Sequence, residues 1–181
     1  MLKTARGQWT LIITLVVLIG LGQYWSNRGV ASSTEASTEL NAEFKSPDNL
    51  FELGKLETIH GKKIRLNELD GLVLVNIWAT WCPPCIQEIP SIISVYEEYK
   101  DQGFTVIGIS IDYDDDELLD FVVKRDIPYP IVKADDEINE YLKQLTGVPA
   151  SFFYKDGELV QADIGYQSKS YFVDIIKAQL N

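Results

Sequence analysis

The chain has 181 residues and a formal net charge of −11, which argues against nucleic acid as a partner, because a polyanion recruits basic surfaces. It holds two cysteines and one histidine, too few for a structural zinc site, which takes about four such ligands. The length leaves room for one compact domain behind a leading segment.

Lys3 and Arg6 precede a stretch without charge, Gly7 to Asn27, with a strongly apolar centre from Leu11 to Ile19. About 21 residues at about 1.5 Å each reach about 30 Å, the depth of a bilayer core. Trp9, Tyr24 and Trp25 flank it as interfacial aromatics do. The expectation is a transmembrane signal-anchor at 7–27, residues 1–6 in the cytoplasm, and the rest of the chain on the extracytoplasmic side of the cell membrane. A cleaved signal peptide, with Val30-Ala31-Ser32 as a weak cleavage site, is the alternative; both export the remainder of the chain. Residues 28–47 are rich in Ser, Thr, Ala and Glu without apolar period, and read as a flexible linker. The domain then spans 48–181. Outside the cytoplasm, in oxidising surroundings, a chain with only two cysteines has no third thiol to form a wrong bridge.

Within the domain, Leu56–Ile59 and Lys63–Leu66 flank His60-Gly61-Lys62 as a hairpin. Leu72 to Trp78 is apolar and rich in β-branched residues, a buried strand. Ile89, Ile92, Ile93 and Tyr96 recur at helical spacing, giving a helix to about Lys100. Phe104–Ile111 is a second buried strand. Leu118, Phe121 and Val122 mark a helix that ends before Pro128, Pro130–Lys133 a short strand, and Ile138, Tyr141, Leu142 and Leu145 a helix closed by Gly147. Ala150–Tyr154 and Glu158–Ile164 are strands around Lys155-Asp156-Gly157. Tyr171, Phe172, Ile175, Ile176 and Leu180 give a last helix. Such alternation predicts an α/β fold, a central sheet covered by helices on both faces.

Both cysteines lie in Trp81-Cys82-Pro83-Pro84-Cys85, in the turn between the first buried strand and its helix. Cys82 falls at the helix N-terminus, where unpaired N–H groups and the macrodipole favour a negative charge. That setting lowers a thiol's pKa, and the thiolate is the reactive form. Cys85, one turn on, is close enough to close a disulfide. This is the layout of a dithiol that exchanges disulfides with a partner: Cys82 attacks and Cys85 resolves. A structural disulfide would ordinarily close a longer loop. A second class stays open, a copper chaperone holding Cu(I) on Cys82 and Cys85, with or without His60, since soft thiolates suit that ion; for His60 itself the plain expectation is a surface turn residue.

Glu88 lies three residues after Cys85. It is either a solvated helix glutamate or the carboxylate that moves protons during exchange, in which one thiol must lose a proton and another gain one. Asn76, on the buried strand, cannot titrate. Asp112, Asp114, Asp115, Asp116 and Glu117 look like a cation site, but an EF-hand loop starting at Asp112 would need Gly at 117 and Glu at 123, where the chain has Glu117 and Val123. A helix N-cap with acids in its first turn is the expected role.

The run Val75-Asn76-Ile77-Trp78-Ala79-Thr80-Trp81-Cys82-Pro83-Pro84-Cys85, with Pro90 five residues on, resembles the thioredoxin superfamily, and within it the membrane-anchored TlpA/ResA-like thiol-disulfide oxidoreductases. Gly147-Val148-Pro149-Ala150-Ser151 is similar to that family's cis-proline loop. The resemblance implies a thioredoxin-like mixed sheet flanked by helices, with an N-terminal hairpin and an extra helix-strand insert between Cys85 and Pro149. It implies Trp81, Pro83, Val148 and Pro149 as the residues that meet substrate, a Val148–Pro149 bond that is cis, and no cofactor beyond the Cys82–Cys85 disulfide. The aspartate–lysine pair buried in plain thioredoxin is replaced here by Asn76 and Gly108, as in the ResA-like branch, where a glutamate at the position of Glu88 is associated with the active site. The implied task is reduction of protein disulfides outside the cytoplasm, for example those of apocytochrome c during cytochrome c-type biogenesis, with a membrane thiol–disulfide carrier as electron donor. Composition does not fix direction, so a disulfide-forming oxidase remains an alternative.

Overall fold

The apolar run after Gly71 becomes the middle strand of a five-stranded sheet. In chain order the elements are β1 (Leu56–Glu57), β2 (Lys63–Ile64), β3 (Leu72–Trp78), α1 (Pro83–Tyr99), β4 (Phe104–Ser110), α2 (Asp115–Arg125), β5 (Ile131–Lys133), α3 (Asp136–Leu142), β6 (Ala150–Lys155), β7 (Glu158–Ile164) and α4 (Lys169–Leu180). The computed structural model describes residue 50 and residues 55–180; the expected N-terminal segment (1–6), span (7–27) and linker (28–47) lie outside the described residues. Among the described residues, no helix is long and apolar enough to cross a membrane.

The large sheet runs in the order β5-β4-β3-β6-β7. β3 pairs in parallel with β4 and antiparallel with β6, which places Asn76 between Gly108 and Ser151. Paired on both sides and covered on both faces, every residue of β3 is buried, which explains its unbroken apolar run. Leu72, Leu74 and Trp78 share a core with Ile89, Ile92 and Val95 of α1 and Phe172 and Ile176 of α4. The intervening residues Val73, Val75 and Ile77, equally buried, point to the opposite face.

Four details depart from the periodicity reading. The hairpin strands are two residues each, because Thr58 leaves the pair to bridge Val132 on the edge strand β5 and Leu66 opens a 3-10 turn. The hairpin thereby covers a sheet edge that would otherwise expose unpaired backbone. The buried stripe of α1 is Cys85, Glu88, Ile89, Ile92, Val95 and Tyr99, so Ile93 and Tyr96 lie at its margin, half-buried. α3 ends at Leu142 rather than reaching Gly147: the Leu145 N–H turns back to the Leu142 carbonyl at 2.9 Å, and the chain peels away toward Pro149. Finally, the acidic run divides. Asp114 is the N-cap of α2, accepting from the Glu117 N–H, with Asp115, Asp116 and Glu117 in the first turn, as the macrodipole favours; Asp112 is buried elsewhere.

Candidate active site

Cys82 is the N-cap of α1, in an extended conformation, and Pro83 begins the helix, where a missing N–H costs nothing. The Cys85 N–H donates to Cys82 Sγ at 3.3 Å. Helix start and sulfur are therefore joined, and negative charge developing on Sγ meets a donor and the positive end of the macrodipole. The two cysteines form a disulfide, with Cα atoms 5.3 Å apart. Both are buried, Cys82 to 4 % and Cys85 to 1 % exposure, but only Cys82 lines the cleft that opens beside the pair.

That cleft has a volume of about 900 Å³ and is walled in part by Trp81, Cys82, Ile111, Leu142, Leu145 and Val148. Of the residues expected to meet substrate, Trp81 and Pro83 are exposed, Val148 is half-buried and Pro149 is buried. The Val148–Pro149 bond is cis. Cys82 Sγ lies 3.7 Å from the Val148 carbonyl oxygen; in the disulfide the sulfur carries no proton, so this is a packing contact. The Gly165 N–H donates to the Pro149 carbonyl at 2.7 Å, tying the loop to the end of β7.

Glu88 is not a solvated glutamate. It is 1 % exposed, and both its oxygens accept hydrogen bonds, Oε1 from Asn76 Nδ2 at 3.0 Å and Oε2 from the Gln167 N–H at 2.7 Å. Asn76 Nδ2 also donates to Ser151 Oγ at 3.1 Å. Burial raises the Glu88 pKa from 4.5 to about 7, against the two donated bonds that lower it and with help from the negative charge of Asp163. Tyr129, also buried, has its phenol pushed up by that burial and by the charge of Glu88. Residues three apart on a helix are neighbours, so the Glu88 carboxyl belongs to the surroundings of Cys85.

Sequence reasoning missed the anchor of the loop before Cys82. Asp112, 5 % exposed, accepts from the Thr80 N–H at 3.0 and 3.1 Å, from Thr80 Oγ1 at 2.6 Å and from Ser110 Oγ at 2.6 Å. One carboxylate thus fastens the end of β4 to the residue before Trp81. The available signal was strand alternation, which puts Ser110 and Asp112 on one side of the chain. Gln167 and Ser151 had no comparable signal.

His60 is not brought to the sulfurs. It stands in the β1–β2 turn and lines a separate shallow cleft with Thr58, Pro128 and Pro130. Among the described residues no group of three or more His, Cys, Asp or Glu side chains is placed to hold a metal ion. His60 is thereby removed as a third ligand beside the two sulfurs: docking the hairpin on β5 carries it to the sheet edge.

A family model described as "AhpC/TSA family" matches residues 45–162. A thiol-disulfide oxidoreductase ResA of Bacillus cereus is 32 % identical over 142 residues, which cover 73 % of this chain and 81 % of that one. A ResA of Halalkalibacterium halodurans is 29 % identical over 185 residues, covering 98 % of each. Among solved structures, a thiol:disulfide interchange protein of the thioredoxin family from Chlorobium tepidum superposes with a TM-score of 0.65 at 30 % identity, covering 70 % of this chain and 92 % of that one. The mixed sheet, the cysteine pair at the start of α1 and these matches have one reading: the chain belongs to the thioredoxin-like AhpC/TSA family, as a thiol-disulfide oxidoreductase of the ResA type.

Proposed function

We propose that the protein is a reductant of protein disulfides outside the cytoplasm, held to the membrane by residues 7–27, with apocytochrome c as a substrate and a membrane thiol–disulfide carrier as electron donor. Cys82 as thiolate attacks one sulfur of the substrate disulfide; a mixed disulfide forms and the other substrate sulfur leaves, taking a proton. Cys85 then gives its proton to Glu88 and attacks Cys82 Sγ, which releases the second substrate sulfur and closes the Cys82–Cys85 disulfide. Two electrons pass to the substrate, and the carrier restores them. The disulfide is the only redox group this needs. The substrate lies extended along the loop at Val148 and Pro149, pairing through backbone, against Trp81 and Pro83.

The observation that supports the reading best is the buried carboxyl of Glu88, three residues after Cys85 on α1, with its pKa raised to about 7, where a group both takes and gives protons at neutral pH. The deciding measurement is the reduction potential of the Cys82–Cys85 couple. A value near about −270 mV supports a reductant, and one near about −120 mV a disulfide-forming oxidase. A reporter fused after Asn181 should be active only outside the cytoplasm; activity confined to the cytoplasm would refute the topology.

A further inference from the structure

The cleft lined by Cys82 has room for more than the two sulfurs of a disulfide. At about 900 Å³ it is at the upper end for small-molecule clefts. Its lining includes the apolar side chains of Ile77, Ile111, Leu142 and Leu145 as well as Cys82. Two aromatic side chains at it stand largely in solvent, Trp81 at 55 % and Tyr113 at 92 % exposure. Exposed aromatics around an apolar hollow are the composition of a contact surface.

The segment that walls it on one side is acidic on balance. Residues 112–143, which supply one wall, carry eleven Asp and Glu against four Lys and Arg, which is −7 of the chain's −11. Asp114 follows the lining residue Tyr113, Asp135 follows Ala134, and Glu140 follows Asn139. The two cations of the lining are already paired, Lys133 with Asp115 and Lys143 with Glu140. Elsewhere charges are more nearly balanced: at the far end of α1, Glu97 pairs with Lys100 and Glu98 with Lys169.

We infer that this cleft docks a basic, partly apolar stretch of the substrate polypeptide next to its disulfide. An apolar side chain beside the reacting cysteine enters between Leu142, Leu145 and Trp81. A Lys or Arg within a few residues of it lies against the acids at the starts of α2 and α3. The inference rests on the oxidoreductase reading and names the substrate class for it.

The experiment uses the reduced full-length protein and three disulfide peptides of one length. Each has a leucine beside the cysteine and is flanked by Lys, Ser or Glu; bis(2-hydroxyethyl) disulfide serves as a small neutral disulfide. The second-order rate constant should fall in the order Lys, Ser, Glu. The Lys-to-Glu ratio should be about tenfold at low salt, the lower end of electrostatic steering, and shrink strongly at about 1 M salt. Asp136→Lys/Glu137→Lys/Glu140→Lys should abolish or invert the order while leaving the rate with the small disulfide unchanged. The isosteric Asp136→Asn/Glu137→Gln/Glu140→Gln, which spares the fold of α3, should shrink it. The control Glu97→Lys/Glu98→Lys/Asp174→Lys, of equal charge change, should leave it in place. Equal rates for the Lys and Glu peptides, or equal effects of the two reversals, overturn the docking site. Failure to reduce even the small disulfide overturns the oxidoreductase reading beneath it.

Discussion

Glu88 should make the oxidised protein less stable as pH rises through neutrality, and Glu88→Gln should remove that dependence. The carboxyl is 1 % exposed, and its pKa moves from 4.5 to about 7 on folding. A raised carboxyl pKa means the folded state binds more protons than the unfolded state between those values, so the contribution is present below about pH 4.5 and lost as pH rises through about 7. Each pKa unit is worth about 1.4 kcal/mol, so the difference of about 2.5 units amounts to about 3 kcal/mol between pH 4 and pH 8. That is a large part of the total stability of about 5–15 kcal/mol expected for a domain. The assay is urea unfolding of the oxidised wild type and the variant at each pH. Subtracting the two curves cancels the groups common to both. Glutamine meets two donors, the Asn76 amide and the Gln167 N–H, and can accept from only one with its oxygen. The variant therefore carries a constant penalty, which shifts the difference curve without tilting it. A difference that is flat from pH 4 to pH 8, or that slopes the other way, refutes the assignment of burial as the dominant effect.

Cys85→Ser should accumulate a mixed disulfide with substrate while Cys82→Ser should not, seen as an adduct on non-reducing gels; trapping through Cys85 would reverse the roles. Asp112→Ala should cost about 3 kcal/mol by leaving the buried Thr80 N–H and the hydroxyls of Thr80 and Ser110 without their acceptor, and thermal unfolding reads it; a loss under about 0.5 kcal/mol would show that the anchor is dispensable. Gly108→Ala should cost about 1–3 kcal/mol, because its Cβ would stand 2.6 Å from Ile131 Cδ1 and 3.0 Å from Trp78 Nε1; a neutral result in the same melt would mean those side chains give way freely. Asn76→Asp, which replaces the donor to Glu88 by a second carboxyl, should raise the apparent thiol pKa values in an alkylation–pH profile, and an unchanged profile would separate Glu88 from the thiols.

What was legible in the sequence was what local periodicity determines. Leu72–Trp78 reads as a buried strand because nothing in it is made for solvent, and the structure places that strand at the sheet centre. Cys82 at the start of the helix followed from its place in the turn between the buried strand and the helical period. What tertiary contact decides was not legible. The hairpin strands shortened because Thr58 found Val132 on another element. Glu88 remained ambiguous because one of its two hydrogen-bond donors, the Gln167 N–H, comes from 79 residues away. Its spacing held a partial signal: Cys85, Glu88, Ile92 and Val95 fall on one helical stripe, so a glutamate sat among apolar positions. Asp112 was hidden by its neighbours, since four acids in the next five positions gave the whole run a cap's explanation.

The surroundings of Glu88 show why its pKa falls near 7 rather than at either extreme. Both hydrogen bonds to it are donated by groups that cannot titrate, an amide side chain and a backbone N–H, and these favour the carboxylate at every pH. Against them stand burial and the charge of Asp163, which favour the acid. With burial alone the group would stay protonated and accept nothing; with the donors alone it would stay ionised and release nothing. The role proposed for it couples this balance to the dithiol. On that proposal, a thiolate on Cys85 in the reduced protein would raise the proton affinity of Glu88, and by reciprocity a protonated Glu88 would ease formation of that thiolate. Asparagine on β3 suits this arrangement where aspartate would not. Asn76 supplies a permanent donor to Glu88 and to Ser151, so within this trio the proton can only reside on or leave Glu88. In the role proposed for it, Glu88 then has one task that the fold has already prepared: to be ionised when Cys85 must lose its proton, and neutral once it has taken it.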